Sequence, residues 1–173
     1  MNMDFIEVRW HGRGGQGAKT ASQLLAEAAI LDGKHIQAFP EYGPEREGAP
    51  IRAFTRISKE KIVLHTGVTD PAIVVVIDPT LLISANVISG LPEDGILLIN
   101  TEDTPADVRK KIDFNSGKVF TVNATKIALD TIGRNLPNTP MIGALLKAVE
   151  LVTLDNMKNI ITHKFLKKLG QKG

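Results

Sequence analysis

The residues of this chain best suited to holding a ligand lie in one glycine-dense run, Trp10-His11-Gly12-Arg13-Gly14-Gly15-Gln16-Gly17-Ala18. Gly12, Gly14 and Gly17 fit the spacing G-x-G-x-x-G, the turn that lays a pyrophosphate over a helix N-terminus. Four glycines in six residues leave no side chains in the way of a ligand and open backbone conformations closed to other residues. Amides freed at such a turn, together with the helix dipole, favour an anion. The competing reading is a tight strand-to-helix turn that merely packs closely. Arg13 and Lys19 flank the turn and could meet phosphate charge, or simply face solvent.

A second candidate is the segment of residues 40–50, with three prolines, two glycines and four charges in eleven residues. It is too charged for core and too long for a plain connector, so Tyr42, Glu45 and Arg46 are expected to touch a ligand or a partner chain. The four histidines, His11, His35, His65 and His163, show no metal-ligand spacing, and only His11 borders the glycine turn. Asp78, at a strand end before Pro79, is expected to cap the following turn rather than to meet a ligand. No nucleophile–base set and no paired carboxylates can be assembled.

The elements that must position these residues follow from periodicity. Residues 5–10 are rich in β-formers and read as a first strand stopped by the glycines. From Gln16 to Leu31, Ala18, Ala21, Leu25 and Ala28 recur at helical spacing, and residues 34–39 make a second strand, completing a βαβ unit. In residues 51–58, Ile51, Ala53, Thr55 and Ile57 alternate with Arg52, Phe54 and Arg56, which fits a strand with one partly polar face, antiparallel to its neighbour and near an edge or a partner. The β-branched run 73–77 reads as a strand buried on both faces. Further strands are expected at 96–100 and 119–122, with helices at 81–89, 105–111, 124–132 and 141–151 and from Leu154, the last placing Leu154, Met157, Ile161 and Phe165 on one side. This alternation predicts an α/β, Rossmann-like layered fold with a mostly parallel sheet and helices on both faces. The 173 residues suit a single domain spanning 1–173. In an open sheet of this kind, ligands sit beyond the carboxyl ends of the strands, where the glycine turn, the segment from Pro40, Asp78 and Asn100-Thr101-Glu102 should meet.

Composition narrows the function further. A net charge of +2 gives no reason to expect a nucleic-acid partner. The longest purely apolar run, residues 72–77, is far short of the ~20 residues of a membrane helix, so no membrane partner is expected. The N-terminal residues lack the pattern of a signal peptide, and a cytoplasmic location is expected. With no cysteine, the chain offers no thiolate to an iron–sulfur cluster; if it serves redox chemistry, another chain carries the electrons.

Two functions compete. A stand-alone NAD(P)-binding Rossmann oxidoreductase, or a nucleotide-binding module, expects an acid at the end of the second strand; Glu41 comes only after Pro40, and little chain remains for a substrate domain. A non-catalytic subunit that binds a nucleotide-bearing cofactor and docks into a larger enzyme fits better.

Three motifs in order carry a resemblance: Gly12-Arg13-Gly14-Gly15-Gln16-Gly17, Phe39-Pro40-Glu41-Tyr42-Gly43-Pro44-Glu45-Arg46-Glu47-Gly48-Ala49-Pro50, and Asn135-Leu136-Pro137-Asn138-Thr139-Pro140-Met141. Together they resemble the gamma subunit of 2-oxoacid:ferredoxin oxidoreductases, most closely the pyruvate type. The resemblance implies a subunit of an enzyme that interconverts pyruvate, coenzyme A and oxidised ferredoxin with acetyl-CoA, carbon dioxide and reduced ferredoxin. It implies alpha, beta and delta-type partner subunits holding thiamine diphosphate, magnesium and the iron–sulfur clusters, and a gamma chain that handles coenzyme A and packs against them, inactive alone. The cofactor-binding set it implies here is Gly12, Arg13, Gly14, Gly15, Gln16, Gly17, Tyr42, Glu45, Arg46 and Asn138, with no catalytic residue. Glu47 departs from the pattern, which expects a base beside Arg46, and the C-terminus after Leu166 is short for the family.

Overall fold

The computed structural model describes residues 5–41 and 48–170. Six strands form one sheet: β1 (Phe5–Arg13), β2 (His35–Glu41), β3 (Pro50–Ser58), β4 (Ile73–Val76), β5 (Ile96–Asn100) and β6 (Lys118–Val122), in the order β2-β3-β1-β4-β5-β6. β1 pairs in parallel with β4, β4 with β5 and β5 with β6, whereas β3 runs antiparallel to both β1 and β2. The sheet is therefore mostly parallel, with one inserted reversed strand.

β3 is antiparallel to its neighbours and next to the edge, as expected, but it is flanked on both sides. The edge is β2, and that placement explains how β2 tolerates Pro40, whose missing N–H would break a ladder inside a sheet. β2 is consequently separated from β1 by a full strand, and its carboxyl end does not adjoin the glycine turn as it would in a simple βαβ pair.

The helices are α1 (Ala18–Leu31), α2 (Leu81–Ser84), α3 (Pro105–Ile112), α4 (Ala124–Ile132), α5 (Asn138–Ala148) and α6 (Leu154–Gly170). Each sheet face carries its own core. On the first face, Val8, Trp10, Ala53, Ile57, Ile73, Val75 and Leu98 meet Ala21, Leu25 and Ala28 of α1, Met141, Ile142 and Leu145 of α5 and Met157 of α6. On the second, Val74, Val76, Leu97, Ile99 and Val119 meet Leu81 and Leu82 of α2 and Val108 of α3. β4 contributes to both, which accounts for its unbroken apolar run.

Polar groups inside the core are matched. Trp10 Nε1 donates to Thr55 Oγ1 at 3.1 Å, and that hydroxyl donates to the Ser22 carbonyl at 3.1 Å, which explains a threonine on the apolar side of β3. Asp32, just past α1, accepts from Thr153 N and Oγ1, each at 2.8 Å, and so anchors the start of α6. Met157 of α6 is buried as expected, but Leu154 is 55% exposed, because the helix begins beyond the rim of the core. The helix expected over 81–89 stops at Ser84, and turns follow it. α5 starts at Asn138 and ends at Ala148, three residues earlier at each end than the periodicity suggested.

Candidate functional site

α1 leaves the end of β1 on the first face, while α2 follows β4 on the second. β1 and β4 are neighbours, so their carboxyl ends bound the crevice where the connections diverge, the place at which open α/β sheets take ligands. Residues 12–17 and Asp78-Pro79-Thr80 meet there.

The glycines serve different needs. Gly15 has φ +91° and Gly17 φ +83°, the left-handed region in which side chains strain the backbone. Gly17 is also the N-cap of α1, and a Cβ there would come 2.6 Å from Asn138 Nδ2. Gly12 has no such dihedral; its Cβ would stand 3.2 Å from that of Ala18, so glycine there lets α1 pack tightly against the end of β1.

The amides are not all free, which corrects the sequence picture of an open cradle. Gly14 N donates to Ala49 O and Gln16 N to Arg13 O, both at 3.1 Å. The first helical bond of α1 is from Ala21 N to Gly17 O at 2.8 Å, and no side chain caps the helix. The amides of Ala18, Lys19 and Thr20 therefore have no intrahelical acceptor. They make the electropositive end of a 14-residue helix. The Lys19 side chain is exposed beside them.

Beneath the turn lies a carboxylate. Asp78 is 7% exposed, and it accepts from Gln16 Nε2 at 2.6 Å, Thr80 N at 2.9 Å and Thr80 Oγ1 at 2.6 Å. Arg13 Nε stands 3.3 Å from the same carboxylate. Burial by itself would raise the Asp78 pKa, but the hydrogen bonds from Thr80 and Gln16, with the Arg13 charge, outweigh it and hold the carboxyl below its usual range. Gln16 completes the brace by accepting from Arg13 N at 2.7 Å. Asp78 thus caps its turn as expected and also fixes the two side chains of the glycine turn.

Arg13 and Gln16 are accordingly engaged within the protein itself. The Arg13 guanidinium is spent on Thr80 Oγ1 at 2.9 Å and Gly48 O at 3.1 Å besides Asp78. That leaves Lys19 as the cation at the helix end that makes no ion pair among the described residues. Further along the edge, Asn100 Nδ2 donates to Ile77 O at 2.9 Å and to Thr125 Oγ1 at 2.8 Å, and its Oδ1 accepts from Thr125 N at 3.1 Å. This one side chain ties the ends of β4 and β5 to the start of α4.

The structure brings Gly12, Arg13, Gly14, Gly15, Gln16, Gly17 and Asn138 together. Tyr42, Glu45 and Arg46 lie outside the described residues. The sequence placed Asn100 at this edge of the sheet without giving it a role, and it missed Thr80. Only their place just after apolar strands, where chain ends converge, marked them. Among the described residues no three His, Asp or Glu side chains gather as metal ligands, and no helix is long and apolar enough to cross a membrane.

A family model described as pyruvate ferredoxin/flavodoxin oxidoreductase matches residues 7–172. Pyruvate synthase subunit PorC of Thermotoga maritima is 55% identical over 167 residues, 96% of this chain and 86% of the relative. The common gamma subunit of the pyruvate/ketoisovalerate oxidoreductases of Pyrococcus abyssi is 47% identical over 96% of this chain and 90% of its own. A crystal structure of pyruvate oxidoreductase subunit PorC from Thermotoga maritima superposes with a TM-score of 0.84 at 53% identity, covering 93% of this chain and 85% of that one.

Proposed function

The chain belongs to the pyruvate ferredoxin/flavodoxin oxidoreductase family, as a gamma-type chain, and on that premise we propose that it is a subunit of a pyruvate synthase whose own task is to hold the phosphate-bearing part of coenzyme A. The overall reaction is oxidative decarboxylation of pyruvate to acetyl-CoA and carbon dioxide with reduction of ferredoxin, or its reverse. Thiamine diphosphate, magnesium and iron–sulfur clusters belong on this reading to alpha, beta and delta-type partner subunits, and the assembly is cytoplasmic.

The observation that carries the coenzyme A reading is the uncapped start of α1 at the crevice between β1 and β4. Three amides there lack acceptors within the helix, and Lys19 stands beside them. Phosphate oxygens satisfy such amides directly, and the helix dipole adds to the attraction. The chain's part is to bind and orient. Asp78, through Arg13 and Gln16, keeps the turn in the shape that presents those amides. Subunit packing has support of its own. Ile127, Leu129 and Ile132 of α4 are 43%, 48% and 47% exposed, and Leu136 just beyond is 36% exposed, apolar surface that burial against a partner subunit would remove from water.

The test uses the assembled enzyme. Lys19→Glu changes an exposed side chain and leaves the fold intact, so a KM for coenzyme A raised about tenfold with the pyruvate KM unchanged is expected, roughly 1.4 kcal/mol of binding. Gly14→Val combined with Gly17→Val should have a larger effect. If coenzyme A affinity stayed the same in both variants, the reading would be wrong.

A further inference from the structure

On the second face of the sheet, helices cover β4, β5 and β6 only. The antiparallel half turns a different set of side chains to that side. Register places Glu7, Arg56 and Gln37 in one row, Arg9, Phe54 and Phe39 in the next, and His11, Arg52 and Glu41 in the third. Residues 64–69 and 85–89 border this face, held by Arg56 Nη2 to Thr66 O at 2.7 Å and by Arg9 Nη2 to Ser89 O at 2.6 Å.

Between these borders lie cavities of about 340, 470 and 370 Å³. The first two share Phe39 and Gly67, and the last two share Glu41, Arg52 and Ser89, so they form one groove. It follows β3 from Pro50 to Arg56, about 20 Å at ~3.3 Å per residue. Phe39 and Phe54, with ring centroids 5.3 Å apart, line its middle.

The two arginines set deep in this groove differ. Arg56 is fully engaged, bonded to Glu7 at 2.6 Å and to Gln37 at 2.9 Å besides the border carbonyls. Arg9 is 3% exposed, yet no carboxylate touches it. Its Nε donates to His11 Nε2 at 3.0 Å and its Nη2 to Val87 O and Ser89 O, while Nη1 makes no hydrogen bond among the described residues. A guanidinium is always charged and carries five donors in a fixed fork. Arg9 therefore brings a buried positive charge and two unused N–H groups to the groove.

We propose that this groove receives an extended segment of a partner subunit, and that Arg9 Nη1 takes the carboxylate of an aspartate or glutamate on that segment. The proposal rests on the subunit reading but not on the coenzyme A reading of the glycine turn. A carboxylate fits better than a phosphate. Of the other charges that act on Arg9, Arg52 is held in an ion pair by Glu41 at 2.5 Å and Asp70 is acidic, so among the described residues the groove offers one unpaired positive charge, which a single carboxylate matches. His11, which already accepts from Arg9, adds no second positive charge. The length of the groove and its paired aromatic rings suit a peptide rather than a small acid.

The test is made on the complex purified with its partner subunits. A benzoylphenylalanine photoprobe replacing Phe39 should crosslink to a partner peptide that contains an acidic residue. Arg9→Gln and Thr69→Glu, the latter on the exposed rim, should each weaken association of this chain with the complex at least tenfold. Thr69→Glu also guards against misfolding, since its side chain lies outside the core and the free chain should melt as before. A crosslink to a peptide without an acidic residue, or no crosslink together with unchanged association, overturns the proposal. A raised KM for coenzyme A with association intact would make the groove a cofactor site and overturns it as well.

Discussion

His11 is 4% exposed, and its pKa is pushed down from 6.5 to about 3 by burial first and then by the charges of Arg9 and Arg52. The geometry agrees, because Nε2 accepts the Arg9 Nε–H bond at 3.0 Å and only a neutral ring can accept it. A histidine whose folded pKa lies below its unfolded value stabilises the native state fully above the unfolded pKa. That contribution is lost as pH falls from 6.5 toward 3, where the unfolded chain binds one more proton than the folded one. The full difference is worth roughly 5 kcal/mol at 1.36 kcal/mol per pH unit. Between pH 7.5 and 5.0 the loss should be about 2 kcal/mol. Urea unfolding of the purified chain at those two pH values measures it directly. His11→Gln keeps an acceptor for Arg9 and cannot titrate, so its stability should change much less over the same range. If the variant lost as much stability as the parent, or if the His11 ring titrated near 6.5 by NMR, the assignment of a neutral buried imidazole would be refuted.

Other outcomes follow from the same geometry. Asp78→Ala should cost about 2 kcal/mol, because it removes the charged acceptor of the Gln16 and Thr80 hydrogen bonds and unpairs Arg13; chemical denaturation at pH 7 checks this. The Asp78 carboxyl sits below its usual range, so the stability it brings is present above the ordinary value of 3.8 and fades only as pH drops below it; acid denaturation between pH 4 and 2 should be flatter in Asp78→Asn. Gly17→Ala should destabilise by about 2 kcal/mol, through the +83° dihedral and the displacement of Asn138, with a fall in Tm of several degrees. Gly143→Ala, in an exposed part of α5 where a Cβ meets nothing, should instead raise stability by about 0.5–1 kcal/mol.

Much of the fold was legible because its signals are local. The β-branched run at β4 and the alanine spacing of α1 each name an element without reference to the rest of the chain. The alternation in β3 likewise separated Ile51, Ala53, Thr55 and Ile57 from Arg52, Phe54 and Arg56, and the first group does face the helix-covered side. Boundaries shifted where a local signal misled: β1 runs on to Arg13 because its pairing with β3 continues through Gly12 to Pro50. The glycine turn was visible as a candidate. The fate of its amides was not, since Ala49 and Asp78 come to it from 35 and more residues away.

What the sequence determined by itself was the alternation of elements, the place of the glycine turn and the absence of cysteine, because backbone preference and side-chain chemistry belong to each residue alone; which glycines need a left-handed backbone, Gly15 and Gly17 but not Gly12, the structure decided. Strand order belongs to the tertiary structure. Only the insertion of β3 between β1 and β2 puts Arg9, Phe54 and Phe39 in one row, and only the pairing of β1 with β4 sets Asp78 under the turn. Such contacts depend on which distant strands share a ladder, and that is decided by the packing of both sheet faces at once.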